Sequence, residues 1–502
     1  MGSYMRNLKN NEDKLGAILF VISIIALIYV SYIGFTRLGI WYDEIYSLGI
    51  VKSPFNEFLN FAFLDVHPPL YYLIYKVFYK IGALFGINPI IVGKFVSLLP
   101  LYLTVGLSAT KVRKNFGYLT AGLFAFCIVT MPQLMNFAVE LRMYSWGLFF
   151  VTASFIYAYD ILNNTGKLKN WIILTILTIA SAYTHYFSAA ASFVIYGVLL
   201  LHLIKNNEKE LKKWIISAVI CVLSFAPWLF ILKQQVATVS SNYWIAPITF
   251  ERVLGYVWFV FSPDNLVIAG NEIATFSILG LLLVMGVIIL LAKSSKSEFN
   301  QLYGIYGILI AVAIPIIGII LSLILRPVFH PRYMIPILGC LWLGVAILFG
   351  KTFSSKKIFI PIFLVILLVA CIGCVNFTQT QINDQIHDTN KTNMIHETFG
   401  SGNLIIYDAF VPYFEMKSYY MPDNHNFILT VTKDKNFNNT ADQISGVLAD
   451  PGIQNEIAQG SKVYFISYKH YDNEITLNHD TYNLKKIPVA LDKYDAYEVE
   501  LK

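Results

Sequence analysis

The chain has 502 residues, of which 56% are hydrophobic and 14% are charged, and its formal net charge is +6. That charge is small for the length and lies in short loops, so it does not indicate nucleic acid binding. The five cysteines are odd in number and all lie inside apolar runs, which argues against a disulfide scaffold. Long uncharged apolar blocks of about 18 or more residues are typical of helices that cross a bilayer. The composition therefore indicates a polytopic α-helical membrane protein.

The first apolar run and the charges around it predict the orientation in the membrane. Leu15–Phe35 is long enough to span a bilayer and too long for the apolar part of a cleavable signal peptide. Arg6, Lys9 and Lys14 precede this run, and short loops rich in Lys and Arg stay in the cytoplasm. We therefore expect a cytoplasmic N-terminus in the plasma membrane, with the motif WYDEIYS after the first span facing outside.

The next apolar segment, His67–Gly86, is long enough to cross but carries two lysines, Lys76 and Lys80, four residues apart. If this segment crossed the membrane, the later basic loops would move to the outside, against the usual distribution of charge. An amphipathic helix on the outer interface keeps those loops in the cytoplasm. We therefore predict a juxtamembrane helix here.

Ten further apolar runs are predicted to cross, which with the first makes about 11 spans and places the C-terminus outside. These runs are Ile90–Thr110, Gly117–Met131, Ser145–Leu162, Trp171–Phe187, Ser188–Ile204, Trp214–Leu232, Glu272–Leu291, Tyr303–Leu325, Tyr333–Gly350 and Ile358–Asn376.

The last quarter of the chain has a different composition, polar and rich in Asn and Asp. Runs such as Asn403–Tyr407 and Lys462–Ser467 are typical of strands. We predict a membrane domain at 1–376, with a first outer loop at 36–89, followed by a small extracytoplasmic α/β domain at 377–502.

Unusual polar residues gather at the predicted outer face, where a carboxylate can accept the proton of an attacking hydroxyl group. Arginine and histidine side chains can hold a phosphate and stabilise charge on a phosphate leaving group. Because nucleotide-activated substrates are cytoplasmic, an outward site indicates an activated group that is delivered on a lipid. The candidate residues are Asp43, Glu44, His67, Lys94, Glu140, Arg142, Tyr144, His185, His330 and Arg332.

Each candidate also has a structural interpretation. The acidic pair of the first loop can be a solvated loop or a helix N-cap, and the two prolines after His67 can simply begin a helix. The two arginines can be interfacial anchors. His185 can belong to an aromatic belt, and Lys94 can pair with a carboxylate. Convergence on one face is what favours a functional site.

The candidate residues other than Lys94 lie in motifs that follow one another along the chain in the order WYDE, DVHPPLYYLIYK, NFAVELRMYSW, YTHYF, APW and RPVFHPRYMIP. Together these motifs resemble the bacterial integral-membrane glycosyltransferases of the GT-C fold. The nearest branch is the one related to protein O-mannosyltransferases and aminoarabinose transferases, called dolichyl-phosphate-mannose-transferase-like or Rgt-like. The resemblance covers nearly all of the membrane region and none of the C-terminal tail.

The resemblance implies a hexosyltransferase-type enzyme that takes a sugar from a polyprenyl-phosphate-linked donor and inverts the anomeric configuration. Asp43 would be the catalytic base, and Glu44 would orient the acceptor or support the loop. His67, Arg142 and Arg332 would hold the donor phosphate, with Glu140 as the acidic partner of Arg142. The other predicted substrate-binding residues, which are candidates from their predicted positions, are Lys94, Tyr144, His185 and His330.

Two points stay open from the sequence. We expect no required metal, although Asp43, Glu44 and Glu140 would offer the oxygen ligands that Mg²⁺ or Mn²⁺ prefers. A lipid-linked-glycan ligase or polymerase, or a flippase for lipid-linked sugars, is the alternative to a simple transferase. Transport normally places ionisable residues at mid-membrane, whereas those here are predicted at outer helix ends and loops, which favours the enzyme.

Overall fold

A computed structural model describes the fold, and its contacts divide the chain into two units. The first unit comprises Met1–Leu38 and Pro54–Ile382, and the second comprises Gly39–Ser53 and Asn383–Lys502. The residues that the structure describes are 2–163, 167–206, 208–241, 245, 247–261, 272–429, 437–468, 480–491 and 494–502.

Helices make up the first unit, and two of those named below belong wholly or partly to the second: α2, and α18 after Ile382. In chain order they are α1 (Gly2–Thr36), α2 (Tyr42–Lys52), α3 (Phe55–Leu64), α4 (Leu70–Leu84), α5 (Pro89–Leu107), α6 (Arg113–Phe116), α7 (Tyr118–Thr130), α8 (Pro132–Val139), α9 (Tyr144–Asn163), α10 (Leu168–Ala182), α11 (Tyr186–Asn206), α12 (Leu211–Phe225), α13 (Trp228–Ser241), α14 (Phe250–Phe261), α15 (Glu272–Lys293), α16 (Phe299–Ile324), α17 (Ile335–Gly350) and α18 (Lys356–Phe399).

Each predicted membrane span overlaps a helix. Within the described residues, seven helices are long and apolar enough to cross a membrane, or up to nine if each of two bent helix pairs is one span. The predicted span at 171–187 corresponds to a shorter apolar helix, Leu168–Ala182. The predicted span at 272–291 overlaps Gly280–Lys293, the part of α15 whose side chains the structure describes. The predicted polytopic helical class is confirmed, and the number of crossings stays a prediction.

Close glycine contacts bring the central helices of the first unit together. A Cβ atom on Gly122 of α7 would lie 2.1 Å from the carbonyl oxygen of Gly16 on α1. A Cβ on Gly344 of α17 would lie 2.5 Å from the carbonyl oxygen of Gly304 on α16. Small residues permit such close approach between membrane helices. All residues of α17 are buried, so this helix lies at the centre of the unit.

The predicted juxtamembrane helix is α4, which is shorter than the apolar segment that contains it. Its 15 residues correspond to about 22 Å, less than the roughly 30 Å of a bilayer core. One lysine, Lys76, is buried with Nζ 4.7 Å from the centroid of the Phe58 ring, whereas Lys80 is exposed. The helix has the length expected of an interfacial element, and its placement at the interface stays a prediction.

A five-stranded sheet with helices forms most of the second unit. The strand order is β2-β1-β3-β5-β4, with β1 parallel to β2 and β3, and β5 antiparallel to β3 and β4. The elements are β1 (Leu404–Tyr407), α19 (Phe410–Glu415), β2 (His425–Ile428), α20 (Phe437–Leu448), α21 (Pro451–Ala458), β3 (Val463–Tyr468), β4 (Tyr482–Leu491) and β5 (Tyr494–Leu501).

The core of this unit includes Ile406 on β1, Phe465 on β3 and Ile444 on α20, all fully or almost fully buried. The strand-like runs of the tail thus correspond to strands, and the α/β class of the C-terminal region is confirmed.

The segment Gly39–Ser53 is grouped with the C-terminal residues and not with the membrane helices. The sequence placed all of 36–89 in one outer loop of the membrane domain, and it placed the domain boundary after residue 376. The structure groups α2 with the C-terminal residues because this helix packs against α19 and against residues 416–420. The domain bounds predicted from the sequence stay a prediction.

Candidate active site

Four polar side chains of the first unit form a buried network around the motif DVHPP. Oδ2 of Asp65 lies 3.2 Å from Nδ1 of His67 and accepts a hydrogen bond of 2.5 Å from the Tyr72 hydroxyl. Arg142 donates to the Tyr72 hydroxyl at 3.3 Å, and its second terminal nitrogen lies 3.3 Å from Nδ1 of His67. All four side chains are buried, so the network lies away from solvent.

Local sequence explains why these residues meet. Asp65 is the C-cap of α3. Two prolines follow His67, and the second of them, Pro69, is the N-cap of α4. Proline cannot continue a hydrogen-bonded chain and restricts the residue before it, so the chain turns here. Tyr72 then lies in the first turn of α4, and its hydroxyl group donates a hydrogen bond to the Asp65 carboxylate.

Charges in the network shift the pKa values of its acidic and imidazole groups. Burial alone would raise the pKa of Asp65, but His67, Arg142 and Tyr72 together hold it below its usual range. Burial lowers the pKa of His67, Asp65 opposes this effect, and Arg142 and Arg332 add to it. The structure therefore favours an ionised Asp65 beside a neutral His67.

Aromatic rings and a second arginine extend the cluster. The His185 ring centroid lies 5.4 Å from that of His67, 5.7 Å from that of Tyr144 and 5.0 Å from that of Tyr333. The guanidinium carbon of Arg332 lies 6.0 Å from the ring centroids of Tyr144 and of Tyr333. Residues from four separate stretches of sequence thus surround one buried place in the first unit.

Tyr144 has a hydroxyl oxygen that is buried and has no hydrogen-bond partner among the described residues. A buried hydroxyl without a partner costs free energy, so such groups usually have a reason to be there. Arg142, Arg332 and Glu140 all act electrostatically on this tyrosine. The Tyr144 hydroxyl is therefore a candidate donor to an anionic ligand.

Hydrogen bonds from α13 support the loop before His67. Nε2 of Gln235 donates to the carbonyl oxygens of Phe63, at 3.2 Å, and of Asp65. The Tyr186 hydroxyl donates to Oε1 of Gln235, and the Trp228 indole nitrogen donates to the Tyr186 hydroxyl at 3.0 Å. These contacts fix the backbone that carries Asp65.

Glu140 and His330 lie close to the cluster in sequence or in space, and Lys94 is buried on α5. Lys94 is 1% exposed on α5, three residues before Ser97, whose hydroxyl lies 3.2 Å from that of Tyr71. Glu140 follows α8 directly, and its carbonyl oxygen accepts from the Arg142 backbone at 2.6 Å. The His330 ring centroid lies 6.0 Å from that of Tyr333, so His330 borders the cluster.

Asp43 and Glu44 belong to the second unit and lie in the first turn of α2. Glu44 is buried, and its Oε2 accepts a hydrogen bond of 3.1 Å from the Trp41 backbone N–H. This contact is the N-terminal cap that the sequence left open as an alternative for the acidic pair. Asp43 is partly exposed and stays a predicted base.

The sequence did not select Asp65, Tyr72, Gln235 or Tyr333 as site residues. The sequence could have indicated Asp65 as a site residue, because Asp65 lies two residues before His67 in the motif DVHPP. Nothing local distinguishes Tyr72 from the neighbouring Tyr71, since only the tertiary contacts place one of them on Asp65.

Among the described residues, no group of three or more His, Cys, Asp or Glu side chains is close enough to hold a metal ion. Whether the reaction requires a metal stays a prediction. The pair in the cluster that includes a carboxylate and an imidazole, Asp65 and His67, lies beside the Arg142 guanidinium group.

Comparison with known proteins supports the fold. No protein-family model matches the sequence, and no curated protein matches it significantly. Two solved structures of ArnT from Cupriavidus metallidurans cover 95% of this chain and 97% of their own. The apo structure has a TM-score of 0.59 at 11% identity, and the structure bound to undecaprenyl phosphate has a TM-score of 0.57 at 12% identity. The chain therefore has the GT-C fold of integral-membrane glycosyltransferases, as its motifs predicted.

Proposed function

We propose that this protein transfers a sugar from a polyprenyl-phosphate-linked donor to a hydroxyl group of an acceptor on the outer face of the plasma membrane. The likeness to ArnT along almost the whole chain supports this class of reaction, since one of those structures is bound to undecaprenyl phosphate. The acceptor would be a component of the cell envelope, such as a protein, a lipid, a teichoic acid or a polysaccharide.

The observation that carries the proposal is the buried cluster of guanidinium, imidazole and hydroxyl donors in the first unit. Arg142 and Arg332 come from different helix junctions and contact the same group of rings. Guanidinium groups bind phosphate oxygens through charge-assisted hydrogen bonds, often two at a time. We assign the donor phosphate to these arginines, with His67 and the Tyr144 hydroxyl as further donors.

Lys94, Glu140, His185 and His330 have supporting roles in this proposal. Lys94 would add positive charge near the phosphate, and Glu140 would orient the Arg142 segment, which follows it directly. The rings of His185 and His330 would border the donor sugar or its phosphate through their contacts with Tyr333.

The proposed step is a single displacement. The acceptor hydroxyl oxygen forms a bond to the anomeric carbon while the bond from that carbon to the phosphate oxygen breaks. The proton of the hydroxyl passes to the Asp43 carboxylate, and the polyprenyl phosphate leaves with the electron pair. One displacement without a covalent intermediate inverts the anomeric configuration. The arginines stabilise the negative charge that develops on the leaving phosphate.

Two features of Asp43 support its role as the base. It lies in the motif WYDE that the GT-C resemblance aligns with a first-loop aspartate, and it is partly exposed beside the buried Glu44. Glu44 caps its own helix through Trp41, so its part in the mechanism would be to hold the loop that carries Asp43.

The test is turnover of a radiolabelled polyprenyl-phosphate sugar by the purified protein, with Asp43→Asn compared with Glu57→Gln. Glu57 is an exposed carboxylate at the start of α3 and so is a matched control. We expect Asp43→Asn to abolish transfer while donor binding persists, and Glu57→Gln to behave as wild type. Unchanged turnover in Asp43→Asn would overturn the assignment of the base.

The same assay distinguishes the transferase from the alternatives. A ligase or polymerase would require a lipid diphosphate-linked glycan and would leave the monophosphate donor intact. A flippase would move the donor across vesicles without consuming it. Mass spectrometry of cell-envelope glycans with and without the protein would then identify the sugar and the acceptor.

A further inference from the structure

The helix with the two predicted catalytic carboxylates, α2, is held at both ends by the C-terminal residues of its own unit. At one end, the Gly39 backbone N–H donates to Oε1 of Gln385 at 2.8 Å. At the other end, Nζ of Lys52 donates to the Ser418 carbonyl oxygen at 2.7 Å. A short helix that is fixed at both ends has little freedom to slide or rotate.

An aromatic ring sets the position of the middle of α2. A Cβ atom on Gly49 would lie 2.2 Å from Cε1 and 2.6 Å from Cζ of Phe414, so only glycine fits without movement of the ring. The Tyr46 ring, one turn earlier, has its centroid 5.2 Å from that of Phe414. Phe414 lies on α19 and is buried. Close packing of a ring on a glycine defines both the distance and the rotation of the helix.

A buried pair, Asp388 and Tyr419, lies beside the first turn of α2. The Tyr419 hydroxyl donates to Oδ2 of Asp388 at 2.6 Å, and the Asp388 carboxylate also accepts from the Ile40 backbone N–H. Burial raises the pKa of Tyr419, and the carboxylates of Asp388 and Glu44 raise it further. Tyr419 therefore stays protonated and donates its hydroxyl proton to Asp388, and it lies close enough to Glu44 for that carboxylate to act on it electrostatically.

We propose that Phe414 and the Asp388–Tyr419 pair are positioning residues, which hold the carboxylates of α2 in the orientation that catalysis requires. The inference rests on the proposed role of Asp43 as the base. It assigns to residues 383–502 an indirect part in the transfer step, although these residues contribute nothing to the motifs that resemble GT-C enzymes. A misplacement of a catalytic group by about 1 Å can reduce a rate by roughly 10²-fold.

The first experiment uses full-length purified protein and a size exchange at the Gly49–Phe414 contact. We expect Gly49→Ala to lower kcat by about tenfold or more, because the new methyl group must displace the ring, while KM for the lipid-linked donor stays within about twofold. The second substitution Phe414→Leu removes the two ring atoms that the methyl group meets and leaves the third close atom, Oγ of Ser418 at 2.7 Å. We therefore expect the double variant to recover part of the lost kcat.

The matched control is Gly446→Ala, because Gly446 lies on α20 of the same unit and a Cβ there would meet no atom within 4 Å. This variant should keep the wild-type kcat. Equal kcat in Gly49→Ala and Gly446→Ala would overturn the inference, as would a double variant that is no faster than Gly49→Ala.

The second experiment addresses the polar pair with Tyr419→Phe, which removes the hydroxyl group and keeps the ring. We expect lower kcat, unchanged donor KM and faster hydrogen–deuterium exchange in peptides from 39–53. A merely stabilising role would lower the melting temperature without a change in kcat for the folded enzyme, and that result would overturn the inference.

Hydrogen exchange also separates the two proposals. If the wild-type protein consumes no polyprenyl-phosphate sugar, the proposed function fails, and faster exchange at 39–53 in Gly49→Ala and Tyr419→Phe still supports the holding of α2. If exchange at 39–53 is the same in both variants as in wild type, the positioning inference fails whatever the activity.

Discussion

The terminal nitrogen Nη2 of Arg142 lies 3.3 Å from Nδ1 of His67, the ring atom that also lies 3.2 Å from Oδ2 of Asp65. A single ring nitrogen cannot accept from the guanidinium group and donate to the carboxylate at the same time. The His67 ring therefore links the basic and acidic parts of the cluster, and a change in its protonation changes both contacts.

Replacement of Arg142 by lysine keeps the charge and removes the planar fork that reaches both Tyr72 and His67. We expect Arg142→Lys to lower kcat/KM for the polyprenyl-phosphate sugar by about 10²-fold, because a lysine cannot hold two phosphate oxygens in this geometry. Steady-state kinetics with the labelled donor would measure this loss. Arg113→Lys is the control, since Arg113 is exposed and its guanidinium carbon lies 5.2 Å from the Tyr118 ring centroid. A similar loss in both variants would contradict the phosphate assignment.

Acid should destabilise the first unit, and His67 should respond first. A group whose pKa is lower in the folded than in the unfolded protein stabilises the fold when the pH is above its pKa in the unfolded protein. This stabilisation is lost as the pH falls. For His67 the loss begins near its ordinary pKa of 6.5, and for Asp65 it begins near 3.8. The slope for one proton is at most about 1.4 kcal/mol per pH unit.

The measurement for this pH dependence is the apparent melting temperature of wild type and His67→Gln between about pH 7.5 and about pH 5. The decrease on acidification should be smaller in His67→Gln, which has no imidazole to protonate. Identical decreases in the two proteins would show that other groups control the acid response.

The hydroxyl group of Tyr72 should matter more than that of its neighbour Tyr71. Tyr72→Phe leaves a buried carboxylate and a buried guanidinium group each short of a hydrogen bond, so we expect a loss of about 1–3 kcal/mol in the free energy of unfolding. Tyr71→Phe removes a contact of 3.2 Å to the Ser97 hydroxyl, between neutral groups, and should cost about 0.5–1.5 kcal/mol. Thermal unfolding of the two variants side by side provides the comparison, and a larger loss in Tyr71→Phe would argue against the network.

The orientation in the membrane can be tested with an impermeant maleimide in intact cells. In a background without the native cysteines, Arg113→Cys should stay unlabelled because the predicted topology places it in the cytoplasm. Gln454→Cys, at an exposed position on α21, should be labelled from outside. Labelling of Arg113→Cys in intact cells would indicate that the segment around α4 crosses the membrane.

The sequence by itself determined the class of the protein. Apolar runs specify helices locally, because each run must satisfy its backbone hydrogen bonds within itself in lipid, so the predicted spans coincide with helices. Short strand-like runs in the tail likewise predicted strands at 403–407 and 462–467, where β1 and β3 lie. Motif order was sufficient to identify the GT-C fold, which the ArnT structures support. It was also sufficient to select His67 and Arg142, which the structure brings together.

Only the tertiary structure decided which residues meet. Tyr72 and not Tyr71 reaches Asp65 because side-chain direction in the first turn of α4 decides between the two rings. Arg142 joins this pair from a segment 70 residues further along the chain. The grouping of 39–53 with the C-terminal residues likewise depends on contacts between elements far apart in sequence. The local sequence does not show why position 49 is a glycine. The structure shows that the ring of Phe414 occupies the space that a side chain at this position would need.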